Sequence, residues 1–332
     1  MLTPLFAILC LIPPDPNNSS PRRDHGPGTA GGGLSTVSGE TLRPGSVSVA
    51  LRLDYTQFER LSNADINRKT LKVDDDHVHF DAVRWSLLET FELAFGAAED
   101  FQVAYSFGYY KANDVREGHL HGDGSYGFHD FGDVSGMTDH WLTAKGRLLK
   151  GPEGSFAVFG GVKFPFGDED EIDETSRSTS SNNRPLEPAL QPGSGTFDAM
   201  LGLAYSRFLS ETLTLDASVA YTRRTKEDDF KIGDLVLLGT AVAYRFTENV
   251  LTFPQPSAFL EVNVRHLSEN REGSHEVNNS GGTVLFLSPG FRYGLSERAS
   301  LTIAVQVPIV QDLNDVQQET DFKVSSGIVL SF

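Results

Sequence analysis

The chain has little cysteine, a shortage of positive charge and no long apolar run, and each shortage excludes a class of protein. Its 332 residues contain one cysteine, Cys10, so no internal disulfide can form. Lys and Arg total 28 against 45 Asp and Glu, a net charge of −17, which argues against nucleic acid as a partner. No apolar run approaches the roughly 20 residues of a transmembrane helix. The 32 Gly, 23 Phe and 9 Tyr instead suit many short strands.

Sequence motifs of the common enzyme classes are also missing. There is no G-x-S-x-G elbow, no H-E-x-x-H pair and no P-loop. Ser125, His129 and Asp133 have the residue types of a Ser/His/Asp catalytic set, but their spacing is not diagnostic of a catalytic site. The sequence therefore predicts a protein that is not an enzyme and that needs no cofactor, apart from the metal ion considered below.

The first 44 residues predict two segments without a folded core. Residues 1–12 (MLTPLFAILCLI) are typical of the apolar part of a secretory signal, although no Lys or Arg precedes it, so we expect a truncated or misassigned start. Residues 13–44 are rich in Pro, Gly, Ser and Asn, a composition that predicts a flexible leader.

From residue 45 onward, apolar and polar residues alternate with the period of a β-strand. In the segment 300–309, for example, every second residue is aliphatic, and the segments 197–205, 214–221 and 322–332 repeat the pattern. The alternation predicts twelve strands, at 45–59, 79–96, 101–114, 133–149, 155–166, 195–209, 213–224, 233–247, 257–268, 282–294, 299–311 and 319–332.

The connections between these strands alternate in length. Links after the even-numbered strands are mostly tight, such as 97–100 and 295–299, whereas links after the odd-numbered strands are mostly longer and polar. Short periplasmic turns and long outer loops are typical of bacterial outer-membrane barrels. The sequence therefore predicts an all-β fold over 45–332, a transmembrane up-and-down antiparallel β-barrel of about twelve strands with both termini in the periplasm. It does not tell which face of each strand points inward.

Aromatic residues at the strand ends indicate what surrounds the barrel. They fall into two groups, such as Tyr55 and Trp85 near the outer rim and Phe95 and Phe246 near the periplasmic rim, as expected at membrane interfaces. The last strand places Ile328, Leu330 and Phe332 on one face. We therefore expect outer-membrane lipid and lipopolysaccharide as surroundings, and the barrel assembly machinery as a partner that reads Phe332.

Short motifs spread over most of residues 45–332 resemble a family of bacterial outer-membrane transporters related to the phenol meta-degradation pathway protein. The matching pieces are Leu285–Tyr293 (LFLSPGFRY), Val305–Pro308 (VQVP), Leu190–Gly195 (LQPGSG), Gly233–Leu235 (GDL) and Gly132–Val134 (GDV). The resemblance implies an outer-membrane barrel and, for some members, genes for degrading aromatic compounds. It implies no catalytic residues.

Strand alternation places fourteen charged side chains on the presumed lumen face, nine of them basic. The proposed lumen-lining residues for transport are Arg52, Arg84, Lys145, Arg147, Lys163, Glu261, Arg265 and Arg292, with Asp54, Glu92, Asp198, Asp216, Arg245 and Lys323 on the same face. Two interpretations stay open: a polar conduit whose charges select solutes, and a salt-bridged filler of a narrow barrel. The leading hypothesis is a passive or gated channel for small solutes; aromatic or hydrophobic compounds are favoured only by the resemblance.

Histidines cluster in the first two predicted outer loops and suggest a second hypothesis. His119, His121 and His129 lie close to Asp123, and imidazole with carboxylate suits Zn²⁺, Cu²⁺ or Ni²⁺. The alternative function is therefore a surface barrel that binds a divalent metal ion in these loops. A polar, solvated loop is the competing interpretation.

The predicted fold has a direct test. The protein should fractionate with outer membranes, migrate on gels in a heat-modifiable way and show β-rich circular dichroism in detergent, because only a closed barrel satisfies its backbone in lipid. A soluble monomer obtained without detergent would contradict the prediction.

Overall fold

The computed structural model describes residues 33–73, 79–120, 124–151, 154–171, 186–249 and 252–332. Their strands and helix are, in chain order, β1 (Val47–Phe58), α1 (Asn63–Thr70), β2 (His79–Ala82), β3 (Trp85–Ala98), β4 (Phe101–Leu120), β5 (Tyr126–Met137), β6 (His140–Gly151), β7 (Gly154–Phe164), β8 (Asp198–Phe208), β9 (Leu213–Arg223), β10 (Phe230–Lys231), β11 (Leu235–Arg245), β12 (Gln255–Leu267), β13 (Asn270–Glu272), β14 (His275–Val277), β15 (Gly282–Ser296), β16 (Ala299–Leu313) and β17 (Thr320–Ser331).

Twelve of these strands form a closed antiparallel barrel, in the order β1-β3-β4-β6-β7-β8-β9-β11-β12-β15-β16-β17 and back to β1. The seam pairs β1 with β17 from Ser48 opposite Ser331 to Phe58 opposite Thr320. At its end, Val47 and Phe332 exchange two backbone hydrogen bonds of 3.0 and 2.8 Å. The predicted twelve-stranded up-and-down barrel is confirmed.

The apolar face of each strand points outward. On β16, Ile303 is 51% exposed while the next residue, Ala304, is 2% exposed. Other strands show the same contrast: Leu201 and Leu203 face outward beside the buried Ala204. This decides the question that alternation left open, because a soluble barrel would turn its apolar face inward.

Glu89 is a charged exception on the outer face of β3. Its pairing with β1 and β4 is regular, and no bulge displaces it in this described segment. Lys111 lies on the same face of β4, with its Nζ 3.9 Å from a Glu89 carboxylate oxygen and 5.4 Å from the Tyr109 ring centroid. Pairing offsets part of the cost of a charge facing lipid, which is about 2–4 kcal/mol for a basic residue at the midplane.

One sector of the barrel wall extends well beyond the rest at the end that carries the long loops. β4 has 20 residues, about twice the 9–11 that cross a membrane. Its last third pairs with β2 on one side and with β5 on the other. The helix α1 packs on this extension through Ile66, which contacts the cluster containing Phe80 and Ala82. The sequence pattern predicted neither α1 nor the small sheet of β10, β13 and β14.

The described helix α1 has 8 residues, and no helix in the described ranges is long and apolar enough to span a membrane.

The described part of the leader lies inside the barrel. At the end with the tight turns, the chain reverses just before β1, with Gly45 at φ +78° and its N–H donating to the Gly96 carbonyl. A Cβ on Gly96 would lie 1.9 Å from the Arg43 carbonyl oxygen, so only glycine lets the chain cross β3 there. Residues 33–42 then run along the lumen, and we call them the plug. The sequence predicts a flexible leader over 13–44. Residues 33–44 of that leader instead make defined contacts with the barrel, while residues 1–32 lie outside the described residues.

The barrel wall also makes room for an aromatic ring in the lumen. Phe259 on β12 lies against Gly290 on β15, where an added Cβ would come within 2.1 Å of the ring. We expect Gly290→Ala to lower the free energy of unfolding of the barrel by about 1–3 kcal/mol through overpacking. A urea titration measures this change when the folded fraction is read from heat-modifiable gel mobility. Phe259→Ala in the same chain should recover part of the loss.

Gly146→Ala on β6 is the matched control, because its Cβ would meet nothing closer than 3.8 Å. Equal destabilisation by Gly146→Ala and Gly290→Ala would contradict overpacking, because it would show that the loss of stability comes from the strand backbone and not from the Phe259 ring.

Candidate functional site

The plug is anchored in the middle of the lumen by the carboxylate of Glu261. This side chain is 1% exposed and lies on the inward face of β12. It accepts hydrogen bonds from three successive backbone N–H groups, those of Leu34 (2.9 Å), Ser35 (3.0 Å) and Thr36 (2.5 Å), and from the Thr36 hydroxyl (2.6 Å). Four donors around one carboxylate satisfy a charge that burial would otherwise make costly.

Basic lumen residues bind the plug along its length. The guanidinium groups of Arg292 and Arg52 donate to the carbonyls of Gly33 and Leu34, each at 3.2 Å. The Lys145 ammonium donates to the Ser38 carbonyl at 3.1 Å. These contacts place the oxygen atoms of the plug backbone opposite the positive side of the lumen.

The plug also brings a charge of its own. Glu40 pairs with Arg147 and accepts a hydrogen bond from the Ser155 hydroxyl. Arg147 bonds Asp100 as well, at the tight turn between β3 and β4. Arg147 is thus held between a carboxylate of the wall and one of the plug.

Apolar side chains of the plug pack against the wall between these polar anchors. Leu34 packs with Ala243, Phe259 and Ala304, and Val37 packs with Phe159 and Ala204. Nearer the tight turns, Leu42 packs with Ala94 and Ala104. The lumen therefore contains three small apolar clusters, each including a plug residue.

A second polar network lies in the lumen towards the long loops. The Lys163 ammonium, on β7, is 2.9 Å from an Asp139 carboxylate oxygen and 2.6 Å from one of Asp198. Asp139 also accepts hydrogen bonds from the backbone and side chain of Ser194, at 2.9 and 2.8 Å. This network ties residues 194–198 to the barrel wall.

The remaining predicted lumen residues differ in their surroundings. Arg265 lies on the inward face of β12, four residues beyond Glu261, and is exposed to solvent there. Arg84 lies in the link between β2 and β3 with an exposed side chain. Its backbone carbonyl accepts hydrogen bonds from Phe58 and Gln57, and its backbone N–H donates to the Asn113 carbonyl. The alternation of inward and outward residues holds only within a strand, and the pleat is interrupted between β2 and β3. Alternation therefore does not assign Arg84 to the lumen face.

Two of the predicted metal ligands meet on the β4–β5 extension. The His119 and His129 rings stack with centroids 4.7 Å apart, and Glu117, missing from the predicted set, lies 3.2 Å from His119 Nδ1. The other two predicted ligands, His121 and Asp123, lie outside the described residues.

A neighbouring trio, His79, Asp81 and Glu187, was not predicted as a site. Burial raises the pKa of the Asp81 carboxyl to about 7, with His79 lowering and Glu187 raising it. His79 Nε2 is 3.5 Å from Glu187.

The plug was the main feature that sequence reasoning missed. Its small and polar residues have the composition of a linker, and its partners lie up to 259 residues away. The sequence signal that could have revealed the plug was the excess of basic over acidic side chains on the lumen face. Buried cations need acceptors, so this excess indicates that a further segment of the chain supplies them.

A sequence profile of the family described as "Putative MetA-pathway of phenol degradation" matches residues 87–312, more than half of the chain. The chain belongs to this family. The resemblance that the short motifs indicated is therefore confirmed. No curated protein matches the chain in a sequence search.

Solved outer-membrane proteins have a similar barrel. The COG4313 outer membrane channel from Pseudomonas putida F1 superposes with a TM-score of 0.61 at 14% identity, over 88% of this chain and 97% of that one. At this identity the likeness establishes the fold of an outer-membrane barrel. The KdgM porin (TM-score 0.43, 9% identity, 86% and 99% coverage) and the CymD monoaromatic hydrocarbon channel (TM-score 0.41, 12% identity, 88% and 89% coverage) superpose less well.

The anchor at Glu261 predicts how the plug can be loosened. Glu261→Gln turns one accepting oxygen into a donor and removes the charge, so it loses charge-assisted bonds of about 1.5–3 kcal/mol each. In a Cys10→Ser background, maleimide labelling of Val37→Cys should speed up about tenfold or more, since 1.4 kcal/mol is tenfold.

Glu272→Gln, an exposed residue of β13, is the isosteric control and should leave the labelling rate unchanged. Equal rates for Glu261→Gln and the parent would show that the carboxylate does not hold the plug.

Proposed function

We propose that this protein is a gated outer-membrane channel for small solutes, and not an enzyme. The observation that carries the proposal is the plug, a segment inside the barrel whose described hydrogen bonds to the wall go to wall side chains. A structural filler would be expected to form regular pairing with the wall, whereas here the plug bonds chiefly to long or hydroxyl side chains, such as Glu261, Arg292 and Ser206. Such contacts can break without disturbing the strand ladder.

The short turns support an orientation with both termini in the periplasm. Bacterial barrels place tight turns inside and long loops outside, and β1 begins and β17 ends at the tight-turn side. On this orientation, the extension of β2, β4 and β5 stands on the cell surface, within reach of lipopolysaccharide. The assembly machinery would then meet Phe332 from the periplasmic side.

Aromatic solutes are the substrates that the lumen favours. Phe159, Phe259 and Phe286 are buried ring residues on inward faces, and two of them lie directly against the plug. Arg292 lies over the Phe259 ring at 5.9 Å and Lys323 over the Phe286 ring at 5.0 Å. Rings beside cations suit an aromatic anion better than an aliphatic one. The description of the family, which refers to phenol degradation, supports the same class.

Release of the plug would leave the lumen positively charged. Arg52, Lys145 and Arg292 would lose their backbone acceptors, and Arg147 would lose Glu40. Cations that have lost an acceptor in a narrow channel attract anions because low-dielectric walls focus their field. We therefore expect the open state to prefer anions.

Planar-bilayer recording tests the gate. The parent protein should conduct weakly, whereas a Glu261→Gln/Glu40→Gln double variant, which loosens both acidic anchors, should conduct several-fold more and favour anions. Adding Arg52→Glu and Arg265→Glu should shift the preference towards cations. In liposomes, the loosened barrel should admit 4-hydroxybenzoate faster than gluconate, an aliphatic anion of similar size.

The control is a barrel carrying Glu272→Gln and Glu297→Gln, two exposed carboxylates away from the lumen. No conductance from any variant, despite heat-modifiable folding, would contradict the channel. Equal uptake of the two anions would contradict the aromatic preference alone.

A further inference from the structure

The outer extension of the barrel has two chemically different faces. In an antiparallel sheet, residues paired across strands point to the same face. Phe80, Gly118 and Phe128 are paired across β2, β4 and β5, and this face packs on α1 through Phe80 and Phe128. The opposite face carries the paired sets His79 with His119, and Asp81 with Glu117 and His129.

Three of these side chains converge. The candidate ligand atoms of Glu117, His119 and His129 all lie within 4.8 Å of one another. His119 Nδ1 is 3.2 Å from the Glu117 carboxylate, and the two imidazole rings stack at 4.7 Å with an interplanar angle of 11°. Four-coordinate zinc binds nitrogen and oxygen at about 2.0–2.2 Å, which places neighbouring ligand atoms about 3.3 Å apart. Small side-chain rotations would therefore close the trio around one ion.

The backbone holds the three positions in place without the ion. Glu117 and His119 are two residues apart on β4, so both point to the same face, and His129 is the direct partner of Glu117 on β5. Glu117 is buried, and the side chains of Glu117 and His119 are 11% and 18% exposed. Ligands supplied by paired strands are more precisely positioned than ligands on loops.

We propose that Glu117, His119 and His129 bind a divalent transition-metal ion of the Zn²⁺ class on the outer extension. Two imidazoles and one carboxylate match the ligand preferences of Zn²⁺, Cu²⁺ and Ni²⁺, and not those of Ca²⁺ or Mg²⁺, which take oxygen ligands. Three protein ligands leave a fourth position for water or for an external ligand. The ion would join β4 to β5, and its binding does not depend on transport through the lumen.

The neighbouring trio of His79, Asp81 and Glu187 is the competing location. It offers one imidazole, and Glu187 comes from the chain beside the Pro188–Leu190 turn instead of from a strand. A set with a single imidazole and a ligand outside the sheet binds Zn²⁺-class ions less well. Variants of the two trios can separate these locations.

Titration calorimetry of the full chain in detergent, after chelator treatment and dialysis, tests the site with Zn²⁺ alone as the probe. The parent protein should bind one equivalent, and Glu117→Gln, His119→Ala and His129→Ala should each weaken binding at least tenfold. His275→Ala, an exposed histidine of β14, should bind like the parent. Co²⁺ added to the parent should give intense visible absorption of a four-coordinate site, and His129→Ala should lose it.

Heat-modifiable mobility of each variant separates loss of a ligand from loss of the fold. A folded His119→Ala or His129→Ala barrel with the heats of the parent would overturn the proposal. So would loss of binding on His79→Ala alone, which would assign the ion to the competing trio, and so would a parent protein that takes up no Zn²⁺.

Discussion

Closure of the sheet between β1 and β17 is the constraint on which the rest of the structure depends. A strand in lipid has no water to satisfy its N–H and C=O groups, so each unpaired group would cost several kcal/mol. The seam therefore runs in register from Ser48 to Gln57, and the exchange between Val47 and Phe332 completes it. Once the ring is closed, alternation leaves each strand one face for lipid and one for the lumen.

The lumen face then meets a second constraint, which the plug resolves. Basic side chains outnumber acidic ones there, and a buried charge without acceptors is destabilising. Three consecutive backbone N–H groups satisfy Glu261, while carbonyls of the same segment satisfy Arg52, Arg292 and Lys145. A polypeptide backbone is suited to this task because it carries donors and acceptors in equal number. The plug backbone can therefore donate hydrogen bonds to a carboxylate and accept them from cations within one short segment.

The sequence predicts the barrel well because its signals are local. The period-2 pattern located all twelve barrel strands, and the predicted strand at 213–224 differs by one residue from β9. It missed α1, an eight-residue helix in a polar loop that begins with the capping box of Ser62 and Asp65. Strand parity assigns Lys145 and Glu261 to the inward face, where the plug contacts them, whereas Arg84 lies in the link between β2 and β3, where the pleat is interrupted.

Non-local features escaped sequence reasoning for a different physical reason. The bond between Thr36 and Glu261 spans 225 residues, and nothing in the segment 33–42 reveals its partner. His119 and His129 of the histidine cluster lie together on β4 and β5, and the other members of the cluster are set by strand pairing. Glu117 lies opposite His129 because the β4–β5 pairing sets that register, whereas the H-x-H spacing alone points to His119 and His121.

Stability and gating are therefore linked through the same charges. With the plug in place, Arg147 is held by Glu40 and Asp100, and Arg292 by the Gly33 carbonyl. Opening exposes these cations, and the cost falls if water or an incoming solute supplies replacement oxygen atoms. An aromatic carboxylate offers such oxygens together with a ring that can cover Phe259 or Phe159 after Leu34 and Val37 leave them. On the proposed function, the solute that best replaces the contacts of the plug is also the one for which opening costs least.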